Sequence, residues 1–284
     1  MTNFISKIVL FLFVLGTIYN VKGQVNYNKG SLFIIGGGSR PVELIKKIIR
    51  ESEIDKDGYG IVLPMASSEQ DSSVFYAKIP FHREGVKNIY GMYFKEKEIP
   101  TNEQLDSIKN AKLIYISGGD QDRFMKIVIN TPIEMAIREN FKRGGMIAGT
   151  SAGAAVMSEK MITGNELKHG TYHSTFLNLE ENNIELKKGL GFIKNAIIDQ
   201  HFVRRSRYNR LITAVIEYPT LKGVGIDEST AIFIKDGRAE VVGNSQVIVL
   251  SNMKRSKDIR NGKLAAQGIK MDIYLNGDTF KFKL

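Results

Sequence analysis

The segment with most potential for chemistry is residues 145–161, GMIAGTSAGAAVMSEKM, in which a serine stands among residues with almost no side chain. An apolar, strand-like run leads into G-T-S-A-G at 149–153, and small residues of helical character follow. This G-x-S-x-G pattern predicts a nucleophile elbow, a tight turn that lifts the Ser151 hydroxyl to the edge of a sheet. The turn would leave the amide of Ala152 free to bind an oxyanion. The alternative is a glycine-rich turn whose serine caps the next helix.

Two further glycine loops follow apolar runs. The first, ISGGDQDRF at 116–124, would lie beside the serine in a parallel sheet, and the amides of Gly119 and Asp120 could then complete an oxyanion hole. The alternative is a turn and a helix start capped by Asp120. The second loop, GGGSR at 36–40, lacks the G-x-x-x-x-G-K-[ST] and G-x-G-x-x-G spacings, so nucleotide binding is disfavoured.

A serine nucleophile needs a base, and His201 is the histidine best placed for that role. It follows the apolar run AIIDQ, so we expect it at the carboxyl end of a strand, although a structural histidine is the alternative. His169 and His173 lie in a polar segment from which either could approach the site. His82 has no catalytic residue type around it.

A carboxylate must hold the second imidazole nitrogen of such a base. Glu228, in VGIDEST, is our candidate because it ends another apolar run. Asp227 and Asp199 are competitors, and position in the chain does not choose among the three.

After His201, four arginines fall within seven residues, at positions 204, 205, 207 and 210. Such a charge run is commonly a solvated helix face. Guanidinium groups also bind carboxylates through two parallel hydrogen bonds, so arginines beside an acyl-transfer site predict a substrate that carries carboxylates.

Composition excludes several classes of function. The chain has 284 residues, a formal net charge of +10 and no cysteine, so disulfides and thiolate chemistry are excluded. The chain has only four histidines besides lacking cysteine, and we predict neither a metal nor an organic cofactor. The basic residues are dispersed without a nucleic-acid-binding motif, so we expect no nucleic-acid partner.

Residues 1–23 have the pattern of a signal peptide. Lys7 precedes the apolar run IVLFLFVLGTIY at 8–19, and the small residues Val21 and Gly23 fit a cleavage site. The run is short for a spanning helix, which needs about 20 residues; an uncleaved anchor is the alternative. We therefore expect a secreted or periplasmic mature chain, 24–284, with no stable membrane association after cleavage.

The mature chain alternates apolar runs with amphipathic segments. Helices are predicted at 41–53, with Pro41 in the first turn, and at 71–85, 102–111 and 132–144, between strands that begin near 31, 59, 86, 112 and 145. This alternation predicts one α/β domain, a three-layer sandwich with a mainly parallel central sheet. From about 223, β-branched runs and the turn pairs at 236–237 and 276–277 predict an antiparallel C-terminal portion.

Four blocks together resemble the cyanophycinase family of serine exopeptidases, which also contains the aspartyl dipeptidases. They are ISGGDQ, GTSAGAAVMS, GLGFIKNAIIDQHFVRRSRYNRL and GVGIDESTA, in the family's order within 31–235. The resemblance implies a class I glutamine-amidotransferase-like fold and a triad of Ser151, His201 and Glu228. It implies hydrolysis of cyanophycin, a poly-aspartate bearing arginine on each β-carboxyl, to β-Asp-Arg dipeptides by a secreted enzyme, with a homodimer possible.

The resemblance also implies a set of substrate-binding residues: Gln121, Asp199, Gln200, Arg205, Arg207 and Arg210. The arginines would bind a substrate carboxylate and Asp199 a substrate arginine. Residues 165–188 match the family only in outline, and this leaves two alternatives open. One is an isoaspartyl or aspartyl dipeptidase of the same family; the other is an inactive secreted protein that binds acidic peptides.

Overall fold

The computed structural model describes residues 30–171 and 173–282. The helices of this part are α1 Val42–Ser52, α2 Gln70–Arg83, α3 Asn102–Asn110, α4 Gln121–Val128, α5 Pro132–Lys142, α6 Ala152–Ala155 and α7 Tyr208–Glu217. Its strands are β1 Ser31–Ile35, β2 Gly60–Leu63, β3 Ile89–Gly91, β4 Leu113–Ile116, β5 Met146–Thr150, β6 Lys160–Glu166, β7 Ile184–Lys188, β8 Ala196–Gln200, β9 Lys222–Ile226, β10 Thr230–Lys235, β11 Arg238–Gly243, β12 Val247–Asn252, β13 Asp258–Arg260, β14 Lys263–Ala265, β15 Ile269–Tyr274 and β16 Thr279–Lys281.

The central sheet has eight strands in the order β16-β11-β10-β1-β5-β4-β2-β3. The five strands from β1 to β3 in that order are parallel, whereas β10, β11 and β16 extend the sheet in antiparallel pairing. The predicted mainly parallel sheet with an antiparallel C-terminal portion is confirmed. Most residues of the parallel strands are apolar and buried, because both faces of the sheet are covered.

Helices cover the sheet on both sides. Side chains of a strand point alternately to its two faces. Phe33 and Ile35 of β1 accordingly belong to one core with residues of α1 and α2. Leu32 and Ile34 belong to a second core with residues of α3, α4 and α5. The three-layer arrangement follows from this division.

A second sheet, in the order β15-β12-β9-β8, was not anticipated from the sequence. Strands β8 and β9 are parallel within it, and α7 packs on it through Leu211, Ala214 and Val215. Apolar runs indicate that β8 and β9 are buried strands, but long-range pairing decides to which sheet they belong.

Local differences from the sequence predictions are few. Helix α1 begins at Val42, so Pro41 lies just before the helix and not in its first turn. Strands β6 and β7 pair with each other at the two ends of segment 160–188, where no element was predicted. The predicted signal peptide lies outside the described residues. No helix within the described residues is long and apolar enough to cross a membrane.

Candidate active site

Ser151 occupies a strained turn between β5 and α6. Its φ of 53° and ψ of −110° lie where side chains are rarely tolerated. Its amide donates to the carbonyl of Ile35 at 3.1 Å, which ties the turn to β1. A β-carbon on Gly149 would lie 2.3 Å from the carbonyl oxygen of Gly153, so the pattern's glycines permit this close approach.

Ser151, His201 and Glu228 form one hydrogen-bonded line. The Nε2 atom of His201 lies 2.9 Å from Oγ of Ser151, and its Nδ1 atom lies 2.7 Å from Oε1 of Glu228. This is the arrangement in which a histidine takes a proton from a serine while a carboxylate orients the imidazole.

The two competing carboxylates are engaged elsewhere. Asp227 accepts hydrogen bonds from the amide of Arg204 at 2.8 Å and from the hydroxyl of Ser245 at 2.6 Å. Asp199 is fully buried against Arg210. Of the three carboxylates considered, Glu228 therefore contacts the imidazole.

The two sheets position this line together. Ser151 follows β5 of the central sheet, whereas His201 and Glu228 follow β8 and β9, which are parallel neighbours in the second sheet. Their side chains therefore leave the carboxyl ends of adjacent strands and meet Ser151 where the two sheets approach each other.

The glycine loop 36–38 makes this meeting possible. The amide of His201 donates to the carbonyl of Gly36 at 2.7 Å, and the amide of Ser229 donates to that of Gly37 at 2.9 Å. A β-carbon on Gly38 would lie 2.8 Å from Cβ of Glu228. From the sequence, this loop was considered only for nucleotide binding, and its contact with the site was missed. The feature of the sequence that could have indicated this contact is the run of glycines directly after β1.

The environment of His201 favours the neutral form of its imidazole. Burial is the main factor that lowers the pKa of its imidazole, and the charges of Arg205 and Arg207 lower it further. The hydrogen bond to Glu228 acts in the opposite direction without reversing the net shift. A neutral imidazole can accept a proton, as a general base must.

The backbone amides that were predicted to bind the oxyanion differ in whether they already donate a hydrogen bond within the protein. No hydrogen bond within the described residues uses the amide of Ala152 or Gly119. The amide of Asp120 donates to the carbonyl of Ala66 at 2.9 Å, and its carboxylate caps α4. Asp120 therefore takes the capping role that the sequence analysis gave as its alternative, and the prediction of it as an oxyanion donor is wrong. Gly118 lies beside Ser151, with a β-carbon position 3.4 Å from Cβ of the serine.

Ser151 and His201 open onto a cavity of about 390 Å³, a size suited to a small ligand. The cavity also contains Arg40, Glu69 and Tyr76, none of which the sequence analysis proposed. Its other lining residues include several hydroxyl-bearing side chains: Ser67, Ser72, Ser73, Tyr115 and Ser117. The pocket therefore offers both signs of charge and many hydroxyl groups.

Most of the predicted substrate-binding residues lie buried behind this pocket and do not line it. Asp199 Oδ2 accepts from Nε of Arg210 at 2.7 Å. Arg207 Nη1 donates to the carbonyl of Gln200 at 2.8 Å and lies 3.8 Å from Asp199. The predicted role of Asp199 as receptor for a substrate arginine is therefore replaced by a buried internal ion pair.

Gln121 and Arg205 complete the predicted set. The amide nitrogen of Gln121 donates to the carbonyls of Ile162 and Thr163 at 2.9 Å each, which joins α4 to β6. Arg205 is exposed, and its backbone amide donates to the carbonyl of His201 at 3.0 Å. It is outside the pocket lining but affects His201 through its charge.

The other three histidines do not line the pocket. His169 Nε2 lies 2.8 Å from Glu180 Oε2 at an exposed position. His173 is exposed, and the imidazole of His82 is not part of the pocket lining. Among the described residues, no group of three or more histidine, aspartate or glutamate side chains is arranged to hold a metal.

Comparison with known proteins points to one group. The sequence profile of peptidase family S51 matches residues 32–242. A cyanophycinase from a Nostoc species is 31% identical over 264 residues, covering 89% of this chain and 85% of its own, and one from Geminocystis herdmanii is 28% identical over 90% and 95%. The crystal structure of a peptidase from an acI-B1 actinobacterium matches with a TM-score of 0.66 and 23% identity, covering 90% of this chain and 98% of its own.

Proposed function

Because this chain belongs to peptidase family S51, we propose that it hydrolyses cyanophycin to β-Asp-Arg dipeptides outside the cytoplasm. The chain is a serine-type peptidase, and its curated relatives are cyanophycinases, which favours a substrate of the cyanophycin kind. The observation that carries the proposal is the hydrogen-bonded line from Glu228 through His201 to Ser151 at the mouth of the 390 Å³ cavity. The signal pattern of residues 1–23 supports the extracellular location.

The proposed reaction begins at the nucleophile elbow. Ser151 Oγ attacks the carbonyl carbon of a backbone aspartyl bond, while His201 Nε2 takes the hydroxyl proton. Glu228 accepts a hydrogen bond from the Nδ1–H group of the imidazole, which fixes the tautomer and stabilises the imidazolium. The amides of Ala152 and of Gly118 or Gly119 bind the oxyanion.

His201 then returns the proton to the leaving amine, and the aspartyl group remains as an ester on Ser151. A water molecule, deprotonated by His201, attacks the carbonyl carbon of that ester; the bond to Ser151 Oγ breaks, His201 returns the proton to Oγ, and the second product leaves as the free acid. The lowered pKa of the imidazole fits both proton transfers, because the base is neutral at the start of each step.

A panel of soluble substrates tests the choice of substrate. The chain from Gln24 onward would be assayed on a short polymer of β-Asp-Arg units, on isoaspartyl dipeptides and on α-aspartyl dipeptides. We expect a kcat/KM for the polymer segment well above both dipeptide values. Cleavage of the dipeptides alone would replace the proposal with a dipeptidase, and binding of the polymer without cleavage would replace it with a binding protein.

A further inference from the structure

The pocket beside Ser151 contains a cation and an anion that are not paired with each other. Arg40 and Glu69 both line it. Neither side chain forms an ion pair within the described residues. Arg40 is half-buried, and a charged group that leaves water without a counter-ion raises the free energy of the folded protein. The unpaired guanidinium in this pocket is therefore suited to an anionic ligand.

The guanidinium of Arg40 is half-buried and contacts only neutral acceptors. Its Nη1 atom lies 3.4 Å from the hydroxyl of Tyr115, and its Nη2 atom donates to the carbonyl of Tyr76 at 3.0 Å. Its Nε atom is buried, with no hydrogen-bond partner in the described part of the chain. Since each terminal nitrogen carries two hydrogens, one N–H on each is left for a further acceptor. Two parallel N–H groups are the geometry that a carboxylate accepts.

Glu69 is exposed at the opening of the pocket. It is the residue before α2, yet its carboxylate makes no capping hydrogen bond to that helix. Its backbone amide donates to the hydroxyl of Ser67 at 3.1 Å, which fixes the turn and leaves the carboxylate available.

We propose that Arg40 binds a carboxylate of the substrate and that Glu69 binds its cationic group. The pocket thereby recognises a zwitterionic peptide end, which a β-Asp-Arg unit presents through its carboxylates and its guanidinium. The inference rests on the proposed function, because it assigns the substrate contacts of that same site. It moves the substrate contacts from Arg205, Arg207 and Arg210, none of which lines the pocket, to the loop before α1 and the turn before α2.

Equilibrium binding to Ser151→Ala protein tests the contacts without catalysis. Three probes would be compared by calorimetry: β-Asp-Arg, the same dipeptide with its arginine carboxylate converted to an amide, and the same dipeptide with citrulline in place of arginine. We expect Arg40→Gln to raise the Kd of β-Asp-Arg by about 10- to 100-fold, as expected for loss of charge-assisted hydrogen bonds, and to change the Kd of the amide little. Glu69→Gln should raise it by only about 3-fold, because the exposed pair is screened, and should leave the citrulline probe unaffected.

Matched variants on the other parts of the surface serve as controls. Arg50→Gln removes an exposed guanidinium at the end of α1, and Glu139→Gln removes an exposed carboxylate on α5. Both should bind all three probes as the parent does. Arg40→Lys keeps the charge without the planar fork and should retain part of the affinity.

The results separate this inference from the proposed function. Equal loss of affinity for all three probes in Arg40→Gln would mean a structural role and would overturn the inference. Absence of β-Asp-Arg binding at millimolar concentration would also overturn it. Binding with the expected selectivity, together with no cleavage of cyanophycin by the unmodified enzyme, would instead contradict the proposed function and leave the contacts standing.

Discussion

The imidazole of His201 lies where a side chain on Gly37 would be. A β-carbon built on Gly37 would stand 2.2 Å from Cε1 and 2.5 Å from Nε2 of that histidine. The glycine loop after β1 is therefore part of the site, since it leaves room for the base next to Ser151.

Gly37→Ala should consequently reduce activity far more than it reduces stability. Displacement of the imidazole by about 1 Å from Ser151 is expected to lower kcat/KM by about 100-fold. Assays of kcat/KM and of the melting temperature on the same preparation check this. Gly277→Ala is the matched control, because Gly277 also has a positive φ but nothing within 4 Å of its β-carbon position. Equal activity loss in both variants would contradict the role of Gly37.

Substitutions in the hydrogen-bonded line should act as a unit. Ser151→Ala and His201→Gln should each lower kcat by about 10⁴-fold or more, and the double variant should be no slower than either. Glu228→Gln should cost about 10²- to 10⁴-fold, because the imidazole loses its orienting carboxylate. Kinetics of purified, folded variants provide the measurement.

Asp227→Asn provides the comparison for Glu228→Gln. Asp227 holds Arg204 and Ser245 and does not contact His201, so its substitution should reduce stability more than the rate of the folded enzyme. The reverse ranking would identify Asp227 as the partner of the base.

Activity should depend on pH through His201. Because burial lowers the pKa of this imidazole, the acid limb of kcat/KM should fall below the value of about 6.5 that a free histidine has. Arg205→Gln removes a positive charge that lowers this pKa and should move the acid limb to higher pH. A pH profile of both proteins checks the shift, and a move to lower pH would contradict it.

The same histidine makes stability depend on pH. The unfolded chain binds a proton at higher pH than the folded chain, so this contribution to stability is full above about pH 6.5 and is lost as pH falls through the lower folded pKa. The free energy of unfolding, measured by denaturant titration across this range, should therefore decrease toward acid. In His201→Gln this component of the slope should be absent.

The buried ion pair behind the site should matter for folding. Arg210 and Asp199 have side-chain exposures of 3% and 0%, so Arg210→Leu removes the hydrogen-bonded cation of a buried carboxylate and leaves it only Arg207, 3.8 Å away. We expect a loss of about 3–5 kcal/mol in the free energy of unfolding. Arg205→Leu, at an exposed position four residues after His201, should change it by less than about 0.5 kcal/mol. Similar stabilities of the two variants would contradict the assignment.

Much of the central sheet and of the helices on it could be predicted from the sequence, because short local patterns of apolar residues indicate these elements. Apolar runs indicated the five parallel strands, and amphipathic spacing indicated α1, α2, α3 and α5 close to their observed bounds. The three residues of the hydrogen-bonded line were also predicted, although geometry was needed to choose Glu228 over its competitors.

The remainder depends on contacts between distant residues. The sequence of a run of arginines does not show whether their side chains contact substrate or, as Arg210 does, an internal carboxylate. The positive φ of 49° at His201 and the pairing of β8 with β9 are set by packing between the sheets, which no local pattern records. Arg40 was passed over for a similar reason, because its neighbour Tyr115 is 75 residues away.

The most direct test of the account uses insoluble cyanophycin. A suspension would be mixed with the chain from Gln24 onward or with its Ser151→Ala form, turbidity would be followed, and the soluble products would be weighed by mass spectrometry. The account predicts clearing by the unmodified enzyme alone, with β-Asp-Arg as the product. Clearing by Ser151→Ala at a comparable rate, or no clearing by a folded unmodified enzyme, would contradict it.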